Sequence, residues 1–232
     1  MRPKNILILI GGQGTRLKTI SKSKPKCLVN IRDKPFLFHL LESINRLNID
    51  NVYLCTGYGS NQVESYINSI KSFFNFSIII SKEEKPLGTG GAILNAIKNY
   101  NLQSFIALNG DTLLSLDKMI DNNLFDSNYI FTKRMFNTDR YGSVITDKDN
   151  YVISFDEKKY KKEAYISVGA YHINTELFDF QADKYNSQNI SMEYDIIPRL
   201  ISEKKLKSYQ YDDIFLDIGI PSDWKLAQTI FI

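Results

Sequence analysis

The 232-residue sequence predicts an α/β chain, and three observations carry that expectation. Apolar runs of strand length alternate with amphipathic stretches of helix length through the first half, which implies parallel βαβ units with right-handed crossovers. The first run, Ile6-Leu7-Ile8-Leu9-Ile10, is wholly apolar, as a strand buried on both faces requires, and it opens into Gly11-Gly12-Gln13-Gly14-Thr15-Arg16-Leu17. The second half changes to short strand-like runs joined by polar turns. A mixed, mainly parallel sheet flanked by helices is therefore expected, with a smaller β-rich lid in the second half.

The elements follow in order. After the strand at 6–10, helical spacing runs from Pro35 to Leu47, with Pro35 suited to a first turn. Residues 52–56 read as a strand, and 61–73 as a helix with Val63, Tyr66, Ile67 and Ile70 on one face. A strand at 76–81, a helix at 90–100 and a strand at 104–108 complete the alternation. Ligands of parallel sheets collect at the carboxyl ends of the strands, so the loops at 11–16, 86–91 and 109–112 are expected to face one crevice. Further strands are expected at 129–135, 142–146, 151–155, 166–173, 207–211 and 214–217. Helices are expected at 193–203 and from Pro221 onward. No linker, repeat or low-complexity tract interrupts residues 1–232, which are read as a single domain.

Composition narrows the function. Lys and Arg number 29 against 26 Asp and Glu, and eight of the basic residues fall within residues 1–32, which hold no acidic one. The rest of the chain is net acidic, so positive charge gathers around the glycine-rich loop. No aromatic stacking pattern accompanies these lysines, which argues against nucleic acid. Cys27 and Cys55 form no CxxC, and His39 and His172 are isolated, so a zinc cluster and a His-based triad both lack parts. No apolar stretch approaches membrane-spanning length, and reduced thiols and a cytoplasmic location are expected.

The motifs point to a polyphosphate. A strand ending in glycines brings successive backbone N–H groups close to an anion, because no Cβ intervenes. Arg16 and Lys26 add formal charge at the same place. The loop lacks the Gly-Lys-Ser/Thr ending of a Walker A and the third glycine of a dinucleotide fingerprint. In Leu87-Gly88-Thr89-Gly90-Gly91, small residues before a helix would let a flat base lie against the backbone, or simply make a tight turn. Asn109-Gly110-Asp111 sets a carboxylate at a strand end, and Asp217, in Phe215-Leu216-Asp217-Ile218-Gly219, offers a second; together with phosphate oxygens they would suit Mg²⁺. Glu157-Lys158 could bind a hydroxyl and a phosphate side by side, or be an exposed ion pair.

Taken together, Gly11–Leu17 with Pro25-Lys26, Leu87–Gly91, Asn109–Asp111, Glu157-Lys158 and Leu216–Gly219 resemble the sugar-1-phosphate nucleotidyltransferases, the nucleotide-sugar pyrophosphorylases, almost end to end. Pro35-Phe36-Leu37 and Asp139-Arg140-Tyr141-Gly142 look most like the D-glycero-α-D-manno-heptose 1-phosphate guanylyltransferases within that family. Ile10 stands where the family usually has alanine. The resemblance implies a Rossmann-like fold, with a nucleotide-binding half over about 1–112 and a sugar-binding half over about 113–232. It also implies Mg²⁺-dependent transfer of a nucleotidyl group, GMP from GTP being favoured, to a sugar 1-phosphate for surface glycan synthesis.

By that resemblance Gly11, Gly12, Gly14 and Thr15 cradle the triphosphate, Arg16 neutralises the departing pyrophosphate, and Lys26 stabilises charge at the reacting phosphorus. Leu87, Gly88 and Thr89 line the base site, and Asp111 and Asp217 hold Mg²⁺. Glu157 takes a sugar hydroxyl, Lys158 the sugar phosphate, and Gly142 and Gly169 line the sugar pocket. Glu193 either reaches another hydroxyl or caps its helix. Glu83 bears on base choice: an ionised carboxylate accepts the N1–H and N2–H₂ donors of guanine, but meets an acceptor oxygen in uracil or thymine. Other readings are a mannose or amino-sugar nucleotidyltransferase and a non-catalytic nucleotide-sugar sensor. The expected partners are thus GTP and a sugar 1-phosphate, without nucleic acid or membrane, and a homo-oligomer is left open.

Overall fold

A computed structural model of the chain describes residues 3–21, 23–120, 124, 127–177, 179–180 and 189–230. In chain order the elements are β1 (Asn5–Leu9), α1 (Lys18–Ser21), β2 (Asn30–Ile31), β3 (Lys34–Pro35), α2 (Phe36–Ile44), β4 (Asn51–Thr56), α3 (Ser60–Ile70), β5 (Ser77–Lys82), α4 (Gly88–Tyr100) and β6 (Ser104–Asn109). They continue with β7 (Thr112–Leu114), β8 (Asn128–Thr138), β9 (Ser143–Thr146), β10 (Val152–Asp156), β11 (Lys161–Asn174), α5 (Ile197–Ser202), β12 (Leu206–Gln210), β13 (Phe215–Asp217) and α6 (Pro221–Ile230). The class is α/β, Rossmann-like, with a mixed, mainly parallel sheet flanked by helices.

Two compact units interleave along the sequence. One comprises Lys4–Pro86, Leu108–Asp117 and Asp213–Ile232; the other is built on Leu87–Ala107 and Lys118–Asp212. The main strands of the first are parallel: β1 pairs with β4 in the register Ile8↔Leu54, and β4 with β5 in the register Leu54↔Ile80, while β2–β3 and β7–β13 are short antiparallel pairs. Ile6, Leu7, Ile8 and Leu54 have no exposure, which explains the unbroken apolar runs. A satellite core of Ile31, Phe36, Leu216, Ile218 and Ala227 packs with Leu113 and Trp224. Trp224 Nε1 and Gln228 Nε2 both donate to Asn30 O, at 3.0 and 3.1 Å, so α6 clamps the β2–β3 ribbon beside β13. Pro35 lies just ahead of α2 rather than in its first turn (φ −56°, ψ 146°), because it closes that ribbon opposite Asn30.

The other unit is mainly antiparallel. Its longest strand, β11, pairs with β8 (Ile166↔Lys133) and with β9 (Tyr165↔Val144), β10 joins β9, and β12 lies parallel to β8. The β11–β8 register shifts between Ser167 and Tyr171, where Gly169 takes a left-handed φ of 71°. The helix expected at 193–203 starts as a π-turn, Met192–Ile196, and becomes α5 only at Ile197. Pro198 has no N–H to donate and falls just past that junction. Ser191 caps the turn by accepting from the N–H groups of Glu193 and Tyr194.

Candidate active site

In the parallel unit the glycine loop is shaped around Lys26. Gly14 has φ 60°, its carbonyl accepts from Leu17 N at 3.0 Å, and a Cβ there would lie 2.9 Å from Lys26 Cβ. Thr15 opens a 3₁₀ turn, Thr15–Leu17, that buries Leu17 and leaves Thr15 and Arg16 exposed. Gly12 is open, with nothing within 4 Å of where its Cβ would be. On the other side of Lys26, Pro25 packs against Gly59, whose φ of 68° and missing Cβ make room for the ring. Lys26 then begins the 3₁₀ turn Lys26–Leu28 and donates through Nζ to Asp111 Oδ2 at 2.5 Å, with only 13% of its side chain exposed.

Asp111 belongs to a turn pressed onto the end of β1. Gly110 N donates to Leu9 O at 3.0 Å, and a Cβ on Gly110 would strike the Ile10 side chain, so the bulk of Ile10 is accommodated by the glycine beside it. Asp217 ends β13, in register with Thr112 of β7, and Ile218 N donates to Asp111 O at 2.9 Å. The structure thus brings Asp217, on β13, beside the turn that carries Asp111 just ahead of β7. Asp217 Oδ1 accepts from Gly219 N at 2.6 Å, which turns its carboxylate. Among the described residues no group of three or more His, Cys, Asp and Glu side chains could hold a metal. The pair offers hard oxygen donors only, a donor set that fits a divalent cation completing its shell with phosphate oxygens and water. Glu83, at the end of β5, is half-buried, its carboxylate set against Gly11 and Gly57.

The antiparallel unit holds the other predicted residues in two linked groups. Ile190 N donates to Leu87 O at 2.7 Å and Gly91 N to Ile190 O at 3.0 Å, so the start of α4 is bound to the segment before the π-turn. Gly88 (φ 80°) and Gly90 are crowded there by Asn189, Ile190 and Ile196. Close packing of chain on chain is the visible use of these small residues. Thr89 Oγ1 accepts from Met192 N at 2.8 Å and donates to Glu193 Oε2 at 3.1 Å; Ser191 Oγ donates to the same oxygen at 2.9 Å. Ser191, not Glu193, is therefore the cap, and the Glu193 carboxylate reaches back to two hydroxyls.

Gly142 supplies the second group. Its carbonyl accepts from Ser167 N at 2.8 Å, and a Cβ there would meet the Phe155 ring and lie 3.0 Å from Glu157 Oε2. Lys158 takes a left-handed φ of 45° and pairs with Glu157 Oε1 at 2.5 Å. Gly169 N donates to Ser167 Oγ at 3.2 Å. Burial holds the Tyr171 phenol well above its usual range, and the charges of Glu193 and Glu157 push the same way. Glu157 and Glu193, 36 residues apart in sequence, therefore act on one buried hydroxyl. Nearby, hydrogen bonds from Lys161 and Lys159 hold the Asp156 carboxyl below its usual range.

Sequence reasoning passed over Gly57, Gly59, Ser191 and Tyr171. The signal for the first two was available: Thr56-Gly57-Tyr58-Gly59 ends an apolar strand, as the Gly11–Gly14 loop does. Nothing in the spacing of Tyr171 marked it. Cys27 and Cys55 are buried free thiols, each pushed up to about 12 chiefly by burial, so neither supplies a nucleophile near neutral pH.

Comparison with known proteins agrees with these motifs. A family model, Nucleotidyl transferase, matches residues 5–230. The chain is 37% identical, over 96% of its own length and 96% of the relative's, to the D-glycero-alpha-D-manno-heptose 1-phosphate guanylyltransferase of Aneurinibacillus thermoaerophilus. It is also 37% identical, over 94% of its length and 96% of the relative's, to the enzyme of that name from Campylobacter jejuni. The crystal structure of HddC from Yersinia pseudotuberculosis superposes with a TM-score of 0.84 at 32% identity, covering 98% of this chain and 99% of that one. HddC complexed with GMP-PN gives 0.82 over the same shares. No described helix is long and apolar enough to cross a membrane. With a matched span reaching from the first strand to the last helix, the chain belongs to the nucleotidyl transferase family.

Proposed function

We propose that the protein transfers GMP from GTP to D-glycero-α-D-manno-heptose 1-phosphate, releasing pyrophosphate and supplying a GDP-sugar for surface-glycan synthesis in the cytoplasm. The observation that carries the reading is the convergence of Gly14, Lys26 and Asp111, with Asp217 on the neighbouring strand. Support for the base comes from the half-buried Glu83 and from the GMP-PN complex of HddC; support for the sugar comes from the two heptose 1-phosphate guanylyltransferases.

In this reading the attacking group is a phosphate oxygen of the sugar, anionic at neutral pH, so no protein base is needed. Catalysis is positioning and charge neutralisation. N–H groups of Gly11, Gly12, Gly14 and Thr15 hold the triphosphate, exposed Arg16 meets the leaving pyrophosphate, and Lys26 turns its ammonium to the α-phosphoryl oxygens. Leu87, Gly88 and Thr89 border the base. Members of the family generally use a divalent metal; here Asp111 and Asp217 would hold Mg²⁺, which neutralises phosphate charge when bound. Glu157, Glu193, Gly142 and Gly169 orient the sugar hydroxyls, and Lys158 pairs with the sugar phosphate.

The test is a matrix of nucleoside triphosphates against sugar 1-phosphates in Mg²⁺, with pyrophosphate release and the product mass as readouts. GDP-heptose as the dominant product supports the reading. A dominant GDP-mannose or UDP-sugar product replaces it, and no release from any pair leaves a nucleotide-sugar-binding protein.

A further inference from the structure

Gly57 follows β4 as Gly11 follows β1, and Tyr58 N donates to Gly11 O at 3.0 Å, joining the two loops at the strand ends. Gly57 does not lie in the left-handed region, unlike Gly59 two residues on, so its backbone would accept a side chain. Space is what it lacks. A Cβ at Gly57 would strike Glu83 Oε1 and lie 3.0 Å from both Glu83 Cδ and Gly11 O; a Cβ at Gly11 would lie 2.7 Å from the same Oε1. That oxygen fills the slot left by two absent methyl groups. Glu83 is anchored from its own backbone, where its N–H donates to Thr56 O at 2.9 Å. Its charge is also felt by Cys55 on β4, where after burial it is the next cause raising the thiol pKa.

We infer that Gly57 is a specificity-determining positioning residue: by carrying no side chain it seats the Glu83 carboxylate in the orientation that meets the donor edge of guanine. The inference rests on the reading of Glu83 as the base-selecting group. Two donors on one base edge require both carboxylate oxygens to face that edge, so a shift of about 1 Å loses one of the paired bonds. The colliding atom is the far end of a flexible side chain. A methyl at position 57 therefore displaces the carboxylate more readily than it disturbs the strands.

The test compares kcat/KM for GTP and for ITP, which lacks the 2-amino donor, in the full-length protein and in Gly57→Ala, Glu83→Gln and the double variant. Gly57→Ala is expected to lower the GTP-to-ITP ratio by about tenfold, the scale of one lost hydrogen bond to a charged group. In the double variant the ratio matches that of Glu83→Gln alone, because the glycine acts only through the carboxylate. If Glu83→Gln collapses the ratio while Gly57→Ala keeps it, or lowers both nucleotides equally, the positioning role fails and the Glu83 reading stands. If Glu83→Gln keeps the ratio, both fail together. Should Gly57→Ala not fold, Gly57→Ala with Glu83→Ala removes the carboxylate that the methyl would strike and leaves only the looser approach to Gly11 O. Recovered melting supports the steric account, and no recovery overturns it.

Discussion

The parallel and antiparallel units handle charge in opposite ways. In the parallel unit Arg16 stands exposed in its 3₁₀ turn, Gly12 is open, and Lys26 is held by a single carboxylate, Asp111, at 2.5 Å. In the antiparallel unit the carboxylates are already occupied: Glu193 by the hydroxyls of Thr89 and Ser191, Glu157 by Lys158, Asp156 by Lys159 and Lys161. An anion with mobile charge needs groups that can turn to it, and a neutral hydroxyl needs acceptors already fixed in place. The difference fits the division of labour proposed above, with phosphate chemistry assigned to the parallel unit and hydroxyl recognition to the antiparallel one.

The largest expected effect would break the comparison at Asp111. Asp111→Asn should lower turnover by about 10³-fold or more, because it removes the proposed cation ligand and the partner of a largely buried ammonium. Pyrophosphate release checks this, and retained turnover would remove Asp111 from the metal site.

Next comes acid stability, which belongs to the antiparallel unit. His172 has no exposure, lies 3.2 Å from Ser104 Oγ, and is pushed down to about 4 chiefly by burial. The folded state holds it neutral, while the unfolded state takes up a proton near the ordinary value of 6.5. Stability should therefore fall as pH drops from 6.5 toward 4 and level off below that, by up to about 3 kcal/mol from this group. Urea melts across that range measure it, and His172→Asn should flatten the slope whatever it does to stability at pH 7.

Lys26→Met comes third, lowering kcat by about 10²-fold with KM for GTP changed far less, as for a group that acts in the transition state. An equal change in KM would assign Lys26 to ground-state binding. The smallest effect sharpens the other side of the comparison. Thr89→Val removes the hydroxyl that joins Met192 N to Glu193, and should cost about 1–2 kcal/mol in thermal or urea unfolding. It should also raise KM for the sugar phosphate several-fold, with kcat for the nucleotide half less affected; an unchanged KM would detach Glu193 from sugar recognition.

Much of this could be read from the sequence because the signals were local. The strand before the glycine loop, the helix after Leu87 and the strand before Asn109 stand within one or two residues of their expected places, since burial on both faces and the 3.6-residue period are written in consecutive residues. The short β2–β3 ribbon, β7 and the π-turn at Met192 left no periodic trace, being too short to repeat a pattern. The glycines after Leu87 read as a platform for a base or as a tight turn, and the structure shows them admitting Asn189 and Ile190 from about a hundred residues away, a packing demand that no local pattern carries.

By itself the sequence determined the order of the elements, the position of the glycine loop at a strand end, and the candidate set Arg16, Lys26, Asp111 and Asp217, because each depends on neighbours along the chain. Only the tertiary structure decided that Lys26 packs against Gly14 and Pro25 against Gly59, that Asp217 lies on the strand beside Asp111, that Ser191 rather than Glu193 caps the turn, and that Gly57 makes the slot for Glu83. These depend on distances between segments far apart in sequence. Register and close packing set such distances, and composition and spacing carry no record of them.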